Sequence, residues 1–386
     1  MRHFTLLHRN LSETHRKWHF FIFVCCFLIS IAAFSQKPTV ERDQGAIEVK
    51  TLAEDLEHPW AIAFLPDNRL LLTERPGRLR VMDTANNVSQ PIQGVPEVFA
   101  KGQGGLQDVA IDPDFAQNNY VYLTYAEMGK DSTATTAFGR GVLKDNRLND
   151  FQVLFRMEPY VDGDKHFGSR IIFTPDNKIM LALAERFKFD PAQDLSNHMG
   201  TIVRLNMDGS VPDDNPFVGQ ADAKDEIFSY GHRNIESAAI DPKTGKLWVA
   251  EMGPMGGDEF NQPEAGKNYG WPVVSWGRNY DGSDIPNHDT RPEFEDAHIV
   301  WTPTISPSGM FFYDGEMYPE WQDHAIIGGL TSSGIVIVKV DDDSAEEIER
   351  VPLAARIRDV AQGPNGAVFV ITDAENGMLL KLEKME

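Results

Sequence analysis

One motif recurs six times along this chain: an apolar run, a turn built from Pro, Asp, Asn or Gly, and a second apolar run. It reads AIAFLPDNRLLLTER from Ala61 to Arg75, VAIDPDFAQNNYVYLTYA from Val109 to Ala126 and IIFTPDNKIMLALAER from Ile171 to Arg186. It returns as AAIDPKTGKLWVAEMG from Ala238 to Gly253, loosely as MFFYDGEMYPEWQDHAIIGGL from Met310 to Leu330, and as VAQGPNGAVFVITD from Val360 to Asp373. Turn residues between runs of β-branched and aromatic residues predict a hairpin each time. Further strand-like runs follow several copies, such as GRLRVMD after Gly77 and GIVIVKVDDD from Gly334, so the unit is a small antiparallel sheet.

Such a sheet cannot bury both faces alone. Radial packing of six around an axis buries them and leaves short, protected edges, which predicts an all-β fold, a six-bladed β-propeller. Two packed sheets of a β-sandwich would not explain six copies of one hairpin. At roughly 58 residues each, the units exceed the ~40–50 of common propeller repeats, and the excess lies in loops. No long amphipathic helix and no Pro/Gly/Ser-rich linker divides the chain, so one domain is expected from about residue 45 to 386. A strand near Ile47 to Leu52 is placed to complete the last blade.

Residues 1–36 read as a secretory signal peptide. Arg2, Arg9, Arg16 and Lys17 precede the apolar run FFIFVCCFLISIAAF (Phe20 to Phe34), which is shorter than the ~20 residues of a membrane span. A periplasmic or secreted protein is expected, free of the membrane after cleavage; an uncleaved anchor is the alternative. Both cysteines, Cys25 and Cys26, lie in this leader, so the exported fold holds no disulfide. With 36 Lys and Arg against 58 Asp and Glu, the formal charge of −22 repels phosphate backbones and argues against nucleic-acid partners.

Propeller function lies in the loops at one end of the channel. Among these, His166 just before a strand is a candidate base, since imidazole accepts a proton near neutral pH. Arg233 and Asn234 offer a rigid fork of donors and an amide, suited to a planar carboxylated ligand. The Gly- and Pro-rich turn Gly253 to Glu259 combines exposed carbonyls with carboxylates, the oxygen donors Ca²⁺ prefers, whereas the residues supply no zinc pattern.

The ordered series HFGSR, AQDLSNHMGTIVRLNMDGSVPDDNPF, SYGHRN, GPMGGDEFN, GKNYGWPVVSWGRNY, PTISPSGM and RIRDV resembles the soluble pyrroloquinoline quinone (PQQ) dependent aldose dehydrogenases of the glucose/sorbosone dehydrogenase family, from His58 to Asp373. The resemblance implies a six-bladed propeller that oxidises the anomeric hydroxyl of aldose sugars to lactones, hydride passing to a Ca²⁺-polarised PQQ. By position it implies His166 as the base, with Arg233 also at the catalytic centre. It implies Gln103, Arg233, Asn234, Tyr280, Thr304, Arg356 and Arg358 around PQQ, and Gly253, Pro254, Glu259 and Tyr269 as Ca²⁺ ligands. It specifies neither the sugar nor the electron acceptor, and leaves monomer or homodimer open.

Departures from the family pattern stand at Ile235-Glu236-Ser237, where Pro-Gln-Gly usually follows GHRN, at Ala184-Glu185-Arg186, at Gln107 and at Lys165. A carboxylate at Glu236 would repel a polyanionic cofactor unless it turned away or paired. The alternatives to the dehydrogenase are a propeller that has lost PQQ and binds carbohydrate or a partner, and a Ca²⁺-dependent lactonase on a similar propeller.

Overall fold

The computed structural model describes residues 38–342 and 344–385, so the expected signal peptide and both cysteines lie outside the described residues. Each of the six copies forms the first two strands of its own antiparallel sheet. Blade 1 holds Pro59–Phe64, Leu70–Glu74 and Arg78–Met82; blade 2 holds Leu106–Ile111, Tyr120–Met128, Ala134–Lys144 and Arg147–Arg156. Blade 3 holds Gly168–Phe173, Lys178–Leu183, Thr201–Asn206 and Ile227–Tyr230. Blade 4 follows with Ile235–Ile240, Leu247–Glu251, Asp258–Asn261 and Ile299–Trp301, and blade 5 with Pro307–Phe312, Ala325–Gly329, Gly334–Asp341 and Ser344–Pro352.

Blade 6 closes the ring. Its strands Ile357–Gln362, Val368–Thr372 and Gly377–Lys384 are joined by the N-terminal strand Ile47–Leu56, which pairs Ile47 with Lys384 and Leu56 with Gly377. The first strands of successive blades contact one another around a closed circle, ending with blade 6 on blade 1, and so line the axis. The architecture is the six-bladed β-propeller the repeat predicts. Among the described residues no helix is long and apolar enough to cross a membrane.

Most of the core among the described residues is six apolar layers, one between each pair of neighbouring blades, with two smaller clusters beside them. Leu71 of blade 1 shares a layer with Leu123 of blade 2, Phe138 with Leu181, Ala182 with Val249, Trp248 with Ile327, Ile326 with Val370, and Ile371 with Leu72. Alternate residues of one strand therefore enter opposite layers, Leu71 on one side and Leu70 and Leu72 on the other. That two-sided burial is why the second strands read as unbroken apolar runs instead of alternating with polar residues.

A buried charge crosses the axis. Arg170 of blade 3 lies over the Trp60 ring at 4.3 Å and pairs with Asp359 of blade 6 at 3.0 Å and Asp108 of blade 2 at 3.3 Å. Its Nε donates to the Glu236 carbonyl of blade 4 at 2.7 Å. Burial lifts the Asp108 carboxyl to about 6 in spite of this arginine, so the pair is held by geometry at an electrostatic cost. Arg170→Met leaves two buried carboxylates without a cation and should lower stability by about 3–5 kcal/mol. A denaturant midpoint at pH 7 equal to the parent's would show that the carboxylates are satisfied in another way.

Candidate active site

First strands start, and second strands end, at the same mouth of the channel, because the two are antiparallel. The residues singled out in the sequence gather there for that reason. Gln103 precedes the first strand of blade 2, His166 that of blade 3, Arg233 and Asn234 that of blade 4, Thr304 that of blade 5 and Arg356 that of blade 6. Every first strand also carries an irregularity in register near its start, at Pro59/Ala61, Leu106/Val109, Gly168/Arg170, Ile235/Ser237, Pro307/Met310 and Ile357/Asp359. A bulge re-aims the extra residue. Three such residues, Trp60, Glu236 and Arg358, line an axial cavity of about 140 Å³ together with Arg75, Gln103, Ser306 and Arg356.

His166 sits in the left-handed region (φ 52°) and is 5% exposed. Its backbone N–H donates to Gln103 Oε1 at 2.7 Å, and its Nδ1 lies 2.7 Å from Oε1 of the fully buried Glu185. The other Glu185 oxygen accepts the amides of Lys188 (2.6 Å) and Phe189 (3.3 Å). Glu185 thus acts as acceptor on both oxygens, so the imidazole donates from Nδ1 and keeps its lone pair on Nε2. Burial pushes the His166 pKa below its ordinary value; Glu185 opposes this and the Arg233 charge adds to it. The imidazole is held in one orientation and biased towards its neutral form. Phe187 meets its ring edge-on at 5.0 Å and continues through Phe189 to Trp271 as an aromatic wall, with the 57% exposed Tyr280 at its rim.

Arg233 is buried and lies over Trp271. It donates from Nη1 to the carbonyls of Met252 (2.7 Å) and Gly253 (2.9 Å) and from Nη2 to the Tyr280 hydroxyl (3.0 Å). Arg358 spans two carboxylates, Glu236 at 2.9 Å and Asp373 at 3.1 Å. Arg356 also reaches Asp373 at 3.1 Å, and these two arginines outweigh burial to hold that carboxyl below the usual range. Glu236 has therefore paired, and its second oxygen accepts the Asn234 amide at 3.1 Å. Several buried polar atoms here have no partner: the Nε of Arg75, Arg233 and Arg358, and Asn234 Oδ1. Thr304 stands apart at the rim, where its carbonyl accepts the Thr331 hydroxyl at 2.9 Å.

Behind Arg233 lies a second polar pocket. Glu251 accepts His232 Nδ1 at 2.9 Å and the Arg233 amide at 2.7 Å, while Asn261 donates to both Glu251 and Glu259. Burial and the neighbouring Glu251 carboxylate push the Glu259 pKa up against the pull of His288. Asn261 Oδ1 has no partner. Tyr269 stacks on His232 at 4.6 Å, but its hydroxyl is committed to the Gln262 carbonyl and the Glu264 amide and its N–H to the Tyr230 carbonyl, which leaves its own carbonyl oxygen as the candidate ligand. Pro254 is buried beside the Gly253 turn.

The sequence reading passed over the partners: Arg75, Asp373 and the orienting role of Glu185. A signal was present, because Arg75, Glu185 and Asp373 close the second strands of three copies of the repeat.

Residues 56–381 match the family model for glucose/sorbosone dehydrogenase. The chain is 41% identical over 377 residues to the aldose sugar dehydrogenase YliI of Escherichia coli K12, spanning 95% of this chain and 99% of that one. A solved glucose dehydrogenase superposes with a TM-score of 0.84 at 43% identity, over 86% of this chain and 98% of the other. The PQQ-bound aldose sugar dehydrogenase of Streptomyces coelicolor superposes with a TM-score of 0.70 at 26% identity, over 87% and 98%. A propeller whose mouth gathers an oriented imidazole and four arginines, matched along almost its whole length in this way, belongs to the glucose/sorbosone dehydrogenase family of oxidoreductases.

Proposed function

We propose that this protein oxidises the anomeric hydroxyl of aldose sugars with PQQ as cofactor. The observation that carries the proposal is the convergence, at one mouth, of the His166–Glu185 pair with arginines whose buried Nε groups lack partners. Unpartnered buried donors are costly, and a rigid polycarboxylate would satisfy them. Arg75, Arg233, Arg356 and Arg358, with Gln103 and Asn234, would hold PQQ, and Tyr280 and Thr304 would border it. When bound, the cofactor supplies the acceptor for the two electrons and the hydrogen that leave C1 of the sugar.

The chain's own part is proton management and placement. Nε2 of His166 takes the proton of the C1 hydroxyl, Glu185 steadies the imidazolium that results, and the C1–O bond becomes the lactone carbonyl. Arg233, over Trp271 and against Tyr280, fixes one side of the mouth, and the aromatic wall offers a surface to the apolar face of a sugar ring. Purified apoprotein supplied with PQQ and Ca²⁺ should reduce an artificial dye with aldoses and not with non-reducing sugars. No PQQ-dependent reduction on any aldose would end this reading.

Glu236 favours a second reading, a propeller that no longer takes PQQ and serves as a carbohydrate- or partner-binding module, because it engages Arg358 and Asn234 itself. In that case PQQ would cause no absorbance change with the parent protein at millimolar concentration.

Ca²⁺ is part of the proposal. Among the described residues no three or more His, Cys, Asp or Glu side chains are arranged to hold an ion, so carbonyl oxygens would supply much of any coordination shell. At Gly253 and Pro254 an ion would need the Gly253 carbonyl that Arg233 now engages. Glu259, with the unpartnered Asn261 Oδ1 beside it, and the Tyr269 main chain form the more open set of oxygens. Millimolar Ca²⁺ should raise the melting temperature by several degrees over excess chelator, equivalent to about 2.7 kcal/mol at a hundred times Kd, and Glu259→Gln should reduce the rise. Identical melting in chelator and Ca²⁺ would remove the ion from the account. The leader supports placing the mature protein in the periplasm or outside the cell.

A further inference from the structure

The axial cavity is lined by three arginines, Arg75, Arg356 and Arg358, and by one carboxylate, Glu236. Asp373 stands behind Arg356 and Arg358 as a fixed counter-charge. Glu236 differs from Asp373 in its place: it is the extra residue of the blade 4 bulge, only 7% exposed, and faces across the axis to the extra residue of the blade 6 bulge, Arg358. One of its oxygens takes Arg358 Nη1 and the other takes Asn234 Nδ2. Those two donors come from separate blades and are both suited to a ligand carboxylate. What they leave unpaired are Arg358 Nε and Asn234 Oδ1.

Resting on the reading above that this pocket takes a polycarboxylate cofactor, we infer that Glu236 is a resident counter-anion, occupying the donors of Arg358 and Asn234 so that the cofactor binds in competition with it. Two consequences follow from charge. The pocket holds an apo state in which Arg358 is already paired with Glu236 and Asp373, and Arg356 with Asp373, which stabilises the empty fold. The same carboxylate repels a bound carboxylate at short range in a site of low dielectric, which weakens the cofactor's hold. Glu236 thereby sets how readily the protein loads and unloads its cofactor.

Glu236→Gln tests this directly, because the amide keeps the size of the side chain and an acceptor for Asn234 while removing the charge. The probes are PQQ and a rigid aromatic tricarboxylate, benzene-1,3,5-tricarboxylate, titrated into purified apoprotein and followed by tryptophan fluorescence and calorimetry, without any turnover measurement. Both should bind the variant at least about 10-fold tighter than the parent, and the empty variant should melt at a lower temperature. Should Glu236→Gln fail to fold, Glu236→Ala, which also removes the charge, should show the same tightening of both probes, and parental affinity in that variant would equally overturn the inference. Equal or weaker binding of both probes by Glu236→Gln would overturn the inference and leave the pair as a positioning contact. Tighter binding of the tricarboxylate with no binding of PQQ by either protein would uphold the counter-anion and defeat the PQQ reading.

Discussion

His166→Ala is expected to cut kcat on aldoses by about 10²–10⁴-fold while leaving PQQ affinity within a few-fold of the parent. The imidazole hydrogen-bonds Glu185 and no arginine, and the Gln103 contact is made by the His166 main chain, so the substitution removes a proton acceptor without removing a carboxylate partner. The pH dependence carries the same assignment. Because the folded protein holds the His166 pKa below the ordinary 6.5, the neutral base persists into more acid solution than free imidazole. The acid limb of kcat/KM should therefore fall below about pH 6.5. Glu185→Gln removes a group that raises this pKa, so the limb should move further towards acid while kcat drops through lost orientation. A limb that stays in place would leave Glu185 with a purely structural role, and parental turnover by His166→Ala would send the search for the base elsewhere.

Arg358→Ala should weaken PQQ binding by about 10²-fold or more. Removing a cation from a charge-assisted pair commonly costs a few kcal/mol. Here the loss is compounded, since Glu236 and Asp373 lose a shared counter-charge and Glu236 lines the cavity the carboxylates would enter. Added cofactor should restore part of the activity, and combining Arg358→Ala with Glu236→Gln should recover part of the lost affinity. The measurement is a PQQ titration of apoprotein, checked against thermal melting. Unchanged PQQ affinity in Arg358→Ala would mean that the cofactor's carboxylates lie against other residues.

The repeat made the blades legible because each turn is written in local chemistry. PDN at Pro66 to Asn68 and PNG at Pro364 to Gly366 specify their hairpins without help from the rest of the chain. That His166, Arg233, Arg356 and Arg358 would come to one mouth was legible through motif order; Arg75 was not. Their pairing was not, because Arg358 meets Glu236, and Arg170 meets Asp108 and Asp359, across an axis that exists only when the ring is closed. The bulges escaped notice for a related reason: one extra residue in a strand changes which way a side chain faces without changing the residue types present. Glu236 accordingly read as an intrusion, whereas its carboxylate sits in a prepared electrostatic partnership.

Pairing Ile47–Leu56 with Gly377–Lys384 makes the molecule topologically almost a circle. In a circle no blade is first, and the loop entropy spent in joining distant strands is owed once, wherever the seam falls. Joining Pro38 to Met385 through a short linker and opening the chain in an exposed loop between two other blades would relocate the seam without altering a blade interface. Such a permutant should refold to the same ring and keep the mouth intact. The existing seam also predicts an order of events: five sheets are complete before the final strand is made, so closure through Gly377–Lys384 and Ile47–Leu56 is expected to be the late, long-range step of folding.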